Sequence, residues 1–252
     1  MKIQYCSDLH LEFKENKQYL SENPIKPVGN VLVLAGDIVP FALMKKHDAF
    51  FDYVADHFET TYWVPGNHEY YHFDLADKCG SFLEKIRSNV LLINNMAVDR
   101  DDVRFVFSTL WSHISPIHQL DIQRGMYDFH VIKHKGLTFT AHDYNEQHEA
   151  CLAFLDKELS IKKAKKTVVV THHVPTFMNY PAKYRGSLLN EAFAVELYDT
   201  IEPSDVAYWI YGHHHQSIPE FVIGTTRLIN NQLGYVKYNE HEPFDSSAMI
   251  EL

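Results

Sequence analysis

The chain has 252 residues, 46 % hydrophobic and 22 % charged, a composition that fits one or two globular domains and excludes wholesale disorder. No apolar run approaches the ~18 residues that a membrane-crossing helix needs. A formal net charge of −10 counts against coating of nucleic acid, which relies on Lys and Arg displacing counterions.

The N-terminus, MKIQYCSDLH, enters a strand-like segment at once and has no secretory apolar stretch, so a cytoplasmic protein is expected. Buried strands are expected at Lys2–Cys6, Val31–Ala35, Thr61–Val64, Thr167–Thr171 and Val206–Tyr211, which are short, rich in β-branched and aromatic residues, and end in turn or histidine signals. Helical patterning falls on Ala42–Phe58, Leu75–Arg87, with Asp74 placed as its N-cap, and Glu146–Leu159. Strands alternating with helices predict an α/β fold with a largely parallel sheet. Val103–Leu110, Glu220–Ile223, Arg227–Ile229 and Ser247–Glu251 read as strands with no helices between them, which predicts a second, more antiparallel region. Residues 113–148 carry six of the 17 histidines and read either as an insert covering the site or as a surface excursion. The whole, 1–252, is taken as a single domain. The basic run KKAKK at 162–166 reads as a solvated helix end. Cys6, Cys79 and Cys151 are odd in number and in no CxxC spacing, which speaks against a disulfide framework and for inert thiols.

Five polar clusters each follow a strand-like run: Asp8/His10, Asp37, Asn67/His68/Glu69, His172/His173 and His213/His214/His215. In an open α/β sheet the crevice beyond the carboxyl ends of the strands is where ligands bind, so clusters distant in sequence can converge there. His10 to Asp37 is 27 positions and Asp37 to Asn67 is 30, each close to the ~30 residues of one β-α-β unit. Carboxylate, amide and imidazole without thiolate suit Mn, Fe, Zn, Ni or Co and disfavour a cysteine-type zinc site. Seven such groups are too many for one tetrahedral ion and suit two divalent ions sharing a carboxylate. Against two aspartates, two such ions would leave about +2 of formal charge to attract a phosphate.

The ordered set D-x-H, G-D, G-N-H-[DE], H and G-H-x-H resembles the calcineurin-like metallophosphoesterase superfamily, here as Asp8/His10, Gly36/Asp37, Gly66/Asn67/His68/Glu69, His172 and Gly212/His213/His215. That resemblance implies a four-layer α/β/β/α sandwich of two mixed sheets with flanking helices. It implies one metal on Asp8, His10, Asp37 and His215, and a second on Asp37, Asn67, His172 and His213. His68 would then donate a proton or hydrogen bond at the leaving-group oxygen, while water acidified between the ions attacks phosphorus in line. A small phosphodiester or phosphomonoester is the expected substrate, with a lean to the diester because G-N-H followed by G-H-x-H resembles the phosphodiesterase branch. Two departures stand out. Glu69 replaces the Asp that commonly orients the neighbouring histidine, and Ile38-Val39-Pro40 lacks the acid that many relatives carry after G-D.

Plainer accounts exist for single residues. Asp8 and Asp37 could be turn caps, Asn67 a turn residue, and His214 structural or substrate-facing. His173 is a candidate substrate contact beside His172. His68-Glu69-Tyr70-Tyr71-His72 also spells the H-E-x-x-H of single-zinc peptidases, but that motif needs a helix, and Pro65-Gly66-Asn67 forbids one. A metal-free scaffold of the same fold would be expected to lack several of the seven ligands, and none is missing.

Overall fold

The structure, a computed structural model, describes residues 1–161 and 165–252. The first half of the chain builds one sheet. Strand β1 (Lys2–Cys6) is followed by helix α1 (Lys14–Glu22), β2 (Val31–Ala35), helix α2 (Asp48–His57), β3 (Thr60–Val64), and then β4 (Phe82–Arg87) and β5 (Val90–Asn94). β1, β2, β3 and β5 are parallel neighbours in that order, and β4 closes the edge antiparallel to β5. The two β-α-β units anticipated from the spacing of His10, Asp37 and Asn67 therefore set these three loops side by side.

The second sheet begins with the hairpin β6 (Met96–Arg100) and β7 (Val103–Ser108). Two short helices follow, α3 (Gln119–Gly125) and α4 (Asp128–Val131), then a small hairpin of β8 (Lys133–His134) and β9 (Leu137–Thr138), and the long helix α5 (Ala141–Leu159). After β10 (Lys166–Thr171) come helix α6 (Tyr198–Ile201), β11 (Val206–Tyr211), β12 (Phe221–Ile223) and β13 (Thr226–Asn230). The last strand, β14 (Met249–Glu251), returns to pair antiparallel with β1 on the far edge of the first sheet. The interior of the second sheet is parallel, β7–β10–β11–β13, with antiparallel pairs only at its edges. The more antiparallel region expected from the sequence is thus confined to the rims.

Strand alternation sorts the side chains into layers. Val31, Val33 and Ala35 of β2 face the second sheet and meet Phe105, Phe107, Val168 and Val170 in the core between the sheets. Leu32 and Leu34 face the other way and pack with Phe51 and Val54 of α2. On the outer face of the second sheet, Val106, Val169 and Trp209 pack with Leu155 of α5 and Ile201 of α6. The result is the four-layer α/β/β/α sandwich with two mixed sheets. No described helix is long and apolar enough to cross a membrane.

Three expected elements are corrected. Leu75–Arg87 is not a helix: Asp74 does cap, accepting from Ala76 N at 3.0 Å, but the coil is only a 3₁₀ turn, Leu75–Lys78. Gly80 at φ 67° then turns the chain into β4. Phe82 and Ile86 are half-buried, and a spacing of four puts residues on one face in a strand as well as in a helix. Ala42–Phe58 divides into a 3₁₀ stretch, Phe41–His47, and α2. The helix expected from Glu146 begins at Ala141, where Thr140 and Asp143 form a reciprocal capping box. Helix α1 and strands β5 and β6 were not anticipated. The first three residues of the basic run at 162–166 lie outside the described residues.

Phe105 is fully buried between the sheets, its ring 5.3 Å from Tyr62 and parallel to Phe107. Phe105→Ala should lower the unfolding free energy by about 3–5 kcal/mol, measured by urea titration. A loss below ~1 kcal/mol would mean that the sheets do not depend on this contact.

Candidate metal centre

The loops after β1, β2, β3, β10 and β11 leave the sheets at one end and carry every candidate side chain. Their backbones are bent hard to bring those side chains inward. Asp8, His10, Asp37, His213 and His215 all have φ between 46° and 79°, the left-handed region that non-glycine residues rarely occupy. Such residues cost about 1–3 kcal/mol each, persist only where their surroundings hold them, and cluster at functional sites. Gly36 (φ 91°) and Gly66 have no room for a side chain. A Cβ on Gly36 would lie 2.2 Å from His172 Nδ1, and one on Gly66 2.2 Å from Asp37 Oδ1.

Among the described residues three groups of side chains bring ligand atoms within 4.8 Å of one another: His10, Glu12 and His68 form one, and the candidate ligands form two, Asp8, His10, Asp37 and His215, and then Asp37, His172 and His213. Asp37 belongs to both. Its Oδ1 accepts the backbone N–H of His68 at 2.9 Å, while its buried Oδ2 has no hydrogen-bond partner and lies 3.4 Å from His172 Nε2 and 3.8 Å from His10 Nε2. His10 Nε2 and His215 Nε2 approach to 2.9 Å, and His172 Nε2 and His213 Nδ1 to 3.0 Å. Asn67 Oδ1 is 3.2 Å from His172 Nε2 and so faces the second group.

Each of these four imidazoles has its other nitrogen engaged outside the cage. His10 Nδ1 is 3.2 Å from Glu12 Oε1, and His215 Nδ1 is 3.0 Å from Glu240 Oε2. His172 Nδ1 lies 2.9 Å from the Ala35 carbonyl and His213 Nε2 3.2 Å from that of Ala192. An acceptor at the outer nitrogen fixes the tautomer that points a lone pair inward, the arrangement that metal-ligating histidines adopt. Asn67 is fixed likewise: its Nδ2 donates to both oxygens of Asp128, at 3.0 and 3.2 Å, which turns Oδ1 to the cage. The donor set, its inward lone pairs and the orphaned Asp37 oxygen fit divalent cations.

A family model for calcineurin-like phosphoesterases matches residues 1–217. The chain belongs to that family. Along its length it is 31 % identical, over 281 aligned positions, to the uncharacterised protein L509 of Acanthamoeba polyphaga mimivirus, covering 99 % of this chain and 96 % of that one. Among solved structures its fold is similar to that of a phosphopantetheinyl hydrolase from Mycobacterium tuberculosis, with a TM-score of 0.70 at 16 % identity over 99 % of this chain and 95 % of the other.

Within the family's pattern, Glu69 does not orient His68. It is fully buried and accepts N–H bonds from Asp37 (2.9 Å), Ile38 (2.7 Å), Gly66 (2.6 Å) and the Trp63 indole (3.1 Å), so it braces the Asp37 loop against β3. The partner of His68 is Glu12, whose Oε1 lies 3.0 Å from His68 Nδ1 and also holds His10. His68 stacks on Tyr71 with ring centroids 4.0 Å apart. Glu12, two residues after His10, carries the one local signal that sequence reading passed over. Asp128 and Glu240, far along the chain from the groups they orient, left none.

His173 is fully buried behind His213, their rings 4.2 Å apart, and its Nδ1 lies 3.2 Å from the Thr109 carbonyl. It does not line the adjoining cavity, so the substrate contact anticipated for it is not what this placement offers. His214 points away from the cage, its Nδ1 accepting from Gln232 Nε2 at 3.0 Å. His68–Tyr70 is a single 3₁₀ turn and His72 has φ 59°, so no helix sets His68 and His72 on one face and the peptidase motif is void.

Burial alone would raise the pKa of Asp37, but His172 and its other imidazole neighbours hold it well below the usual carboxylate range. Asp8, likewise desolvated, is lowered by its bond to His215. In return, and against their own desolvation, His172 is raised to about 9 by Asp37, and His215 to about 10 by Asp8 and Glu240. The sequence expectation of a +2 surplus is also revised, because Glu12 and Glu240 stand against the same imidazoles and add two carboxylates.

In the ion-free protein these imidazolium groups take the place of cations. Their folded pKa values exceed the reference 6.5, so their stabilisation is fully present below about 6.5 and is lost as pH rises through about 9 and about 10. Chelator-treated protein should therefore show a urea midpoint that falls across that window. A midpoint that climbs over the same range contradicts the assignment.

Proposed function

We propose that the chain hydrolyses small phosphoesters at a two-metal centre. One ion would be held by Asp8, His10, Asp37 and His215, and the other by Asp37, Asn67, His172 and His213. The observation that carries this reading is the unpartnered Asp37 Oδ2 between two sets of inward lone pairs whose outer nitrogens are all engaged. Two divalent ions there would supply Lewis acidity at the phosphoryl oxygens and an acidified water. The donor set accepts Mn, Fe, Zn, Ni or Co.

The chain's own part is orientation and proton delivery. Glu12 accepts from His68 Nδ1, which leaves Nε2 toward the cavity, 3.4 Å from Tyr235 Oη. Burial would lower the pKa of His68, but Asp37 and Glu12 raise it above the ordinary value, which favours the protonated ring that a general acid needs at a departing oxygen. Residues 113–148, read as a covering insert within a single unit, supply Met126 and Tyr127 to the cavity wall and Asp128 to Asn67. A cytoplasmic setting agrees with the unpaired Cys6, Cys79 and Cys151.

The reading is tested by stripping the protein, restoring single divalent ions, and following 4-nitrophenolate release from phosphoesters alongside metal content by mass spectrometry. Neither bound metal nor metal-stimulated turnover would overturn it. Two variants separate the roles. Asn67→Ala should lose metal from one site. His68→Ala should keep both ions and lower kcat by about 10²–10⁴, and loss of metal in that variant would show that the roles are misassigned.

A further inference from the structure

Taking the phosphoesterase reading as given, Tyr235 is a side chain of the cavity wall whose chemistry that reading leaves unused. It follows β13 and falls after the last of the motifs, Gly212/His213/His215, so it is no part of the pattern shared with the family. Its position is closely fixed. Gly234, at φ 65°, donates its N–H to the Asp8 carbonyl at 3.1 Å, and its own carbonyl accepts from Asn16 Nδ2 at 2.7 Å. The Tyr235 N–H is held at 2.8 Å by Glu240 Oε2, the same atom that lies against His215 Nδ1. The ring packs on two imidazoles proposed for one ion, with centroids 4.8 Å from His10 and 4.4 Å from His215. Phe13 meets it edge-on at 5.3 Å.

A phenylalanine would make all of those ring contacts, so the hydroxyl needs a separate reason. The residue is half-buried, and phenol groups withdrawn from water ordinarily find a hydrogen-bond partner. Tyr71 and Tyr184, which line the same cavity, have one each: their hydroxyls donate to Asp128 Oδ1 at 2.7 Å and to the His214 carbonyl at 3.0 Å. Among the described residues Tyr235 Oη has only His68 Nε2, at 3.4 Å. That is longer than the ~2.5–3.2 Å of a well-formed bond. The outer nitrogen of His68 is taken by Glu12, so Nε2 and the phenol are left facing the cavity side by side. Two atoms at that separation can both lie ~2.8 Å from a single oxygen set in front of them. The spacing is that of a pair converging on an acceptor that a ligand brings, as in an oxyanion hole.

We infer that Tyr235 is a further catalytic residue, its hydroxyl donating a hydrogen bond to the ester oxygen that departs from phosphorus beside His68. In hydrolysis the hydroxyl of water joins phosphorus and the P–O bond to that oxygen breaks, its electron pair passing to the departing oxygen. Tyr235 keeps its proton and shares it in the hydrogen bond, so it neither gains nor loses an atom. A phenol donates whatever the charge on the neighbouring ring, so this part does not depend on how His68 titrates. A donor aimed at charge that develops as the bond breaks lowers the barrier more than it tightens binding of the intact ester.

Tyr235→Phe tests this, since it keeps the ring and removes the hydroxyl. The variant should hold as much metal as the wild-type protein by mass spectrometry; loss of metal would make Tyr235 a support for His10 and His215 and overturn the inference. Phenyl phosphate and 4-nitrophenyl phosphate, with the methyl diester of each, separate a role at the departing oxygen from a structural one. Phenolate leaves less readily than nitrophenolate and gains more from a donor, whereas a distorted site slows both alike. In the variant kcat/KM for the phenyl ester should fall about 10–10²-fold, and at least about threefold further than for the matching nitrophenyl ester. A smaller difference, or no loss, overturns the inference. Calorimetry with inorganic phosphate, which puts an oxygen where the ester oxygen departs, gives a readout free of turnover. The metal-loaded variant should bind phosphate at least about threefold more weakly; unchanged affinity overturns the inference and leaves the phosphoesterase reading standing. If the wild-type protein hydrolyses none of the four esters, the phosphoesterase reading fails, and the phosphate comparison still decides whether the hydroxyl meets a phosphoryl oxygen. Absence of both turnover and phosphate binding overturns the two together.

Discussion

The carboxylate of Glu69 is the point on which the site geometry hangs. It is buried, and its oxygens are met by backbone N–H groups on both sides of a gap between two loops and by the Trp63 indole. Those bonds tie the turn after β2 to the turn after β3. They hold Asp37 in a left-handed conformation it would otherwise leave. Remove the acid and the N–H groups are stranded, each a buried donor without an acceptor. The shared carboxylate of the cage then has nothing to keep it facing His172.

The same economy of space governs the glycines. Gly36 and Gly66 are the places where backbone passes directly against His172 and Asp37, and even a methyl group would sit inside those side chains. The cage is thus assembled by closeness of main chain as much as by the reach of side chains. The apolar layers between and outside the sheets hold the strand ends in register, so bent loops at that end can be tolerated.

How much of this was legible beforehand follows from what each feature depends on. The five strands that lead into the site, β1, β2, β3, β10 and β11, were readable because β-branched runs ended in polar clusters, and the candidate site was readable because those clusters fell at strand ends in a recognisable order. The segment from Phe82 to Arg87 was not, because Phe82 and Ile86 sit four apart, a spacing that helix and strand share. Glu69 is conspicuous in the chain, yet its acceptor role depends on N–H groups of another loop, which no local pattern records. Asp128 and Glu240 act across 61 and 25 positions, and only the fold brings them to Asn67 and His215. The positive surplus expected at the centre failed partly for the same reason: Glu240 is far from the motifs, whereas Glu12, two residues after His10, was a local signal passed over.

One oxygen of Glu12 serves both His10 and His68. Two imidazoles bonded to one acceptor atom cannot be treated as separate instruments. Whatever changes the charge on the outer ring redistributes that oxygen's bonding and alters the electron density available to the inner one. With the roles proposed for them, cation retention at His10 and proton retention at His68 would be linked equilibria, coupled through a single atom.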